Sequence, residues 1–225
     1  MAQHSGTAGP EPGTADWRQR QAAALAGHRG DEAGARSFLE DPSPKVRASA
    51  LGALARLGAL TSADVAAALA DLDPALRRRA CELAVGHDVD LVPFLGDDDA
   101  SVAETAAWAL GERGGAGEDE EGLHPSAPAR VVEALAAMAG GHEDALCREA
   151  AVAALGAVGD ERGLPAILAA TTDKPTIRRR AVIALAPFDG PEVKEALERA
   201  RADRDWQVRQ AAEDLLAGDS TDNGS

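Results

Sequence analysis

Three arginines stand in a row twice in this chain, in "LRRRACELA" from Leu76 and in "IRRRAVIAL" from Ile177. Guanidinium groups grip carboxylate or phosphate through paired hydrogen bonds, so these triplets are the first candidates for chemistry. Other reactive groups are sparse. The histidines are His4, His28, His87, His124 and His142. His28 and His87 fall near the ends of equivalent helices roughly 20 Å apart, too far to share a metal, and a cationic His caps a helix C-terminus. Cys81 and Cys147 fall on apolar faces and read as small core residues. There is no G-x-S-x-G, phosphate loop or Cys-x-x-Cys. The expectation is no catalytic set, no metal and no cofactor.

The arginines sit in an acidic chain. Asp and Glu number 38 against 23 Lys and Arg, for a net charge of −15 over 225 residues. That balance argues against nucleic acid, which needs a basic footprint, and against an anionic membrane surface. No apolar run is long enough to span a bilayer. The N-terminus lacks the regions of a signal peptide, and two cysteines make no disulfide framework. The expected location is cytoplasmic. Aromatics are 3% with no Tyr, and a core of Ala, Leu and Val favours helices. Only Lys45, Lys174 and Lys194 are lysine; an acidic, Lys-poor chain of this kind resembles proteins of salt-accumulating haloarchaea, while a high-GC genome alone would explain the Arg, Ala and Gly bias but explains the acid excess less well.

A repeat organises the sequence. Seven segments align without gaps, beginning at Trp17, Val46, Leu76, Val102, Cys147, Ile177 and Val208, with successive spacings of 29, 30, 26, 45, 30 and 31. Relative to each first residue, the anchor, apolar residues recur at 0, +4, +7 and +8, and mostly at +5. At about 100° per residue these share one helical arc. An Asp- or Pro-containing turn, such as "EDPSPK" or "ADLDPA", precedes most anchors and signals a helix start. A second apolar run lies upstream of each turn. The unit is therefore helix A, turn, helix B. Neither helix buries its face alone, so units must stack.

The period near 30, the Asp-rich turn and "VRASALGALARLG" (Val46 to Gly58) resemble HEAT-like repeats of the phycobilisome-lyase type. The resemblance covers about Asp16 to Ala217 and implies an all-α solenoid of about seven repeats. The family includes bilin lyases, a di-iron hydroxylase and many scaffolds, among them adaptors in haloarchaeal taxis signalling. Its hydroxylases, similar to deoxyhypusine hydroxylase, carry His-Glu pairs inside helix B. Here those places read Ala48-Ser49, Arg78-Arg79, Glu104-Thr105, Glu149-Ala150 and Arg179-Arg180. None is His-Glu, so di-iron chemistry is not expected. The expected function is a non-enzymatic protein-interaction scaffold or adaptor. The alternative is a lyase-like enzyme or accessory factor that binds a tetrapyrrole or other anionic ligand. Residues 1–15 and 218–225 are polar, Gly/Pro/Ser-rich tails, expected to be disordered. The long spacing holds an acidic loop, about 114–129, read as a solvated insertion or as a partner contact.

Helical angle divides each triplet. Position +1 falls inside the apolar arc, whereas +2, +3 and +6 point away. Arg18, Arg47, Arg77, Arg148, Arg178 and Arg209 hold position +1, and only Ala103 departs. A buried guanidinium needs acceptors. Asp41, Asp71, Asp97 and Asp203 stand five residues before their anchors, and Asp173 four before. The economical expectation is an Asp–Arg ladder through the stack that fixes register, with these Asp also capping helix B. The outward residues are Arg78, Arg79, Arg179 and Arg180, with Glu104 and Trp108 between them. In solenoids of this type the B-helix face lines the concave surface. These six residues are the candidate partner-binding site. The alternative for the arginines is a solvated surface paired with acids such as Glu82, and for Trp108, packing under the acidic loop.

Overall fold

The structure, a computed structural model, describes residues 12–115 and 128–222. Every regular element among them is helical. The chain divides into two compact units, Met1–Leu83 and Ala84–Ser225.

The first unit holds α1 (Pro12–Arg29), α2 (Glu32–Ser37), α3 (Pro44–Leu57), α4 (Ser62–Leu69) and α5 (Pro74–Leu83). Here α1, α3 and α5 are the B helices and pack in that order, while α2 lies on α3 and α4 on α5. The second unit holds α6 (Ala100–Gly115), α7 (Ala129–Gly141), α8 (Ala145–Val158), α9 (Leu164–Ala170), α10 (Pro175–Ala184), α11 (Pro191–Arg201) and α12 (Trp206–Asp222). Its B helices α6, α8, α10 and α12 pack in that order, and a 3-10 turn at Val92–Gly96 takes the place of an A helix before α6. Within each unit the helix pairs are layers of an α-solenoid, as the apolar period requires.

The anchors carry the core. Val46, Leu76, Val102, Cys147, Ile177 and Val208 are each at most 2% exposed. Trp17 is not among them, at 58% exposure. The reason is a register one residue later in α1. Gly111 and Gly156, nine residues after their anchors, lie against Ala154 and Ala184 of the next B helix. Gly27 meets Ala53 in the same way but stands ten residues after Trp17. The structural anchor of α1 is therefore Arg18, and Gln19 occupies the place arginine holds elsewhere.

Helix enters both segments expected as tails. Helix α1 begins at Pro12 and α12 runs to Asp222. Proline is tolerated in a helix's first turn, and one glycine costs a helix only about 1 kcal/mol, too little to end α12 at Gly218. The expected acidic insertion lies, over residues 116–127, outside the described residues.

Candidate functional site

Three of the B helices, α5, α6 and α12, begin with two Asp in different roles. Asp71, Asp97 and Asp203 each accept the N–H two residues on through Oδ1, as does Asp41. They fold the turn. The cap is the next acid: Asp73, Asp99, Asp144 and Asp205 accept from Ala75, Ser101, Leu146 and Gln207. The expectation that the ladder Asp also caps helix B is thus corrected, because a side chain folded back on its own turn does not reach the helix's first amides.

The arginine at +1 clamps two successive turns. Its Nη1 donates to a carbonyl of its own turn: Arg47 to Asp41 O, Arg77 to Asp71 O, Arg148 to His142 O, Arg178 to Asp173 O and Arg209 to Asp203 O, all within 2.8–3.0 Å. The rest of the fork reaches the next repeat. Arg148 Nε and Nη2 donate to Asp173 at 2.8 and 3.1 Å. Arg178 makes the same pair with Asp203 at 2.8 and 2.7 Å. Arg47 uses Nη2 alone on both Asp71 oxygens, at 2.9 and 2.7 Å, and its buried Nε has no partner among the described residues. These bonds hold the Asp173 and Asp203 carboxyls below the usual carboxylate range, Arg148 and Arg178 being the largest causes. Arg178 is 7% exposed, the most buried charge among the described residues. Arg18 is exposed, one residue out of register, and reaches no carboxylate among the described residues.

The outward positions are as the angles require, but differ in freedom. Arg78 and Arg79 belong to the first unit and share Glu82, at 2.6 and 2.7 Å. Glu104, Trp108, Arg179 and Arg180 belong to the second unit. Arg180 reaches Glu149 on the neighbouring helix at 3.5 Å. Arg179 is exposed and has no ion pair among the described residues. Trp108 is 46% exposed. It stands at +6 of α6, where α8 presents Ala153 and α10 presents Ile183, itself 37% exposed. The three make an apolar row across successive layers. Trp17 and Trp206 are more exposed, at 58% and 64%, but each stands in the first turns of a terminal B helix, outside such a row.

Three features escaped the sequence. Arg36 of α2 donates to Asp64 of α4 at 3.1 Å and to Ala59 O at 2.7 Å. Arg113 of α6 donates to the carbonyls of Ala84, His87 and Val89, at 2.5–2.7 Å. Both satisfy turns through carbonyl oxygens, which no residue type marks. The glycines nine residues after an anchor were visible as "ALG" endings but carry no apolar signal.

Little else is equipped for chemistry. No group of three or more His, Cys, Asp or Glu among the described residues is placed to hold a metal. The Cys147 thiol, donating to Ala100 O at 3.2 Å, is pushed up to about 11 by burial and by the charges of Asp144 and Glu104, so it stays protonated. His142 Nδ1 accepts from Asp144 N. A cavity of about 380 Å³ lies between residues 88–91 and helices α6 and α7. Both of its arginines are already held, Arg130 by Asp90 and Arg113 by the carbonyls.

Residues 90–186 and 132–217 match the family described as HEAT repeats. No curated protein matches the chain in sequence. Among solved structures, the E. coli protein YibA is similar over 93% of this chain and 75% of its own, at 17% identity and a TM-score of 0.61. Human deoxyhypusine hydroxylase, solved with glycerol, is 20% identical over 90% of this chain and 79% of its own, with a TM-score of 0.45. A designed armadillo repeat protein is 17% identical over 93% and 94%, with a TM-score of 0.46.

Proposed function

Since this chain belongs to the HEAT-repeat family, we propose that it is a non-enzymatic protein-interaction scaffold that docks its partner on the B-helix face of the second unit. The observation that carries this reading is the outward row of Trp108, Ala153 and Ile183, with Trp108 and Ile183 exposed and Ala153 half-buried. A half-exposed tryptophan in a helix interior, aligned with apolar neighbours on successive layers, has the composition of an interaction hot spot. Arg179, exposed and unpaired among the described residues, supplies a polar rim. Arg78 and Arg79 support the reading less, since each is already held by Glu82. A role as a signalling adaptor, taxis included, fits a scaffold. No residue described above favours the lyase-like alternative.

Affinity capture at native salt tests the reading. The wild-type chain retains one specific partner, and Trp108→Ala or Arg179→Glu loses it with an unchanged melting temperature. Unchanged capture by both variants removes this face, and a visible absorption band on the purified protein would point to the tetrapyrrole alternative.

A further inference from the structure

Two carboxylates without an ion pair among the described residues flank Trp108 on its own helix. Glu104 and Glu112 stand one helical turn before and one after it, so all three side chains share a strip of α6. Of the other outward acids on this unit's B face, Glu149 holds Arg180 and Asp214 accepts from Gln210. Glu104 and Glu112 have no ion pair among the described residues. The nearest outward arginines on the unit's B face stem from α10, two layers away, and Arg180, which reaches back to α8, is already taken by Glu149.

An indole face between two unspent carboxylates has the chemistry to receive a cation. The ring attracts a guanidinium or ammonium over its face, and the carboxylates accept that group's N–H bonds. An acidic segment would meet two like charges here. A purely apolar one would leave both carboxylates desolvated beside it, which is costly.

We propose that the partner docked on this face presents a basic segment, one of whose Arg or Lys side chains stacks on Trp108 between Glu104 and Glu112. This rests on the docking reading above and adds the partner's chemistry.

The test uses the full chain carrying Trp17→Phe and Trp206→Phe, so that fluorescence reports Trp108 alone. Hexa-arginine amide is titrated in, with hexa-glutamate as the mismatched probe. The expected result is saturable quenching by hexa-arginine, none by hexa-glutamate, and a Kd about tenfold weaker in Glu104→Gln/Glu112→Gln. Glu195→Gln/Glu198→Gln removes the same charge from α11 and controls for the overall acidity; it leaves the Kd within about twofold. Equal weakening in the two double variants, or no quenching, overturns the proposal. If hexa-arginine fails while partner capture still depends on Trp108, the docking reading stands and only the basic partner falls. If capture is also indifferent to Trp108, both fall.

Discussion

Asp203→Ala costs about 3 kcal/mol of stability at neutral pH, more than any other single change to the charged turns. The substitution strands Arg178, at 7% exposure, with only the carbonyl of Asp173 left to it. Arg178→Leu/Asp203→Ala recovers much of that loss, since a leucine leaves no buried charge behind. The matching change at Arg47 and Asp71 costs less. Arg47 binds through one nitrogen and already carries an unpartnered Nε, and both side chains are about one-fifth exposed. The rung also makes stability depend on pH. Asp203 titrates below the usual range in the fold, so its contribution is fully present above the unfolded value of about 3.9. It is lost as pH falls through the lower folded value. Urea unfolding at pH 7 and in a series down to pH 2 reads both effects. Asp203→Ala should converge on wild type at the acid end. Equal stability at pH 7 would show that the pair contributes nothing.

Gly156→Ala is expected to destabilise by about 2 kcal/mol, with the sign as the informative part. In a free helical position, alanine gains up to about 1 kcal/mol over glycine. At Gly156 an added Cβ would lie 2.7 Å from both Cα and Cβ of Ala184. Backbone cannot swing aside as a flexible side chain can, so α8 and α10 must separate, at the cost of overpacking. Gly140, inside α7, has nothing within 4 Å of such a Cβ. Gly140→Ala should therefore be neutral or stabilising. Thermal melts of the two variants decide the matter, and a stabilised Gly156→Ala would mean the two helices are not in close approach.

Much of this was legible in the residue pattern, for physical reasons. The apolar arc at 0, +4, +7 and +8 reports a helix buried on one side, so the layers could be read from it. The angle of +1 within that arc separated Arg178 from Arg179 and Arg180, and Trp108 at +6 falls outward by the same arithmetic. The reach of each arginine was not legible. Whether it bonds the Asp of its own turn or of the next depends on the offset between layers, a tertiary quantity. The structure has it do both, through a carbonyl of the first and the carboxylate of the second. The register of α1 failed because an apolar Trp17 fits an inward position by type. A terminal helix has only one B-helix neighbour, and the approach of Gly27 to Ala53 decides its rotation instead. Close backbone approach leaves no apolar mark, so Gly111 and Gly156 passed unnoticed.

The row through Trp108 is the proposed partner contact. Trp108→benzoylphenylalanine places a photoreactive group in that row, and Glu195→benzoylphenylalanine places the same group on α11. Irradiation with the captured partner present should give a covalent adduct from position 108 and little from position 195. An adduct from position 195 with none from position 108 would show that the partner docks elsewhere.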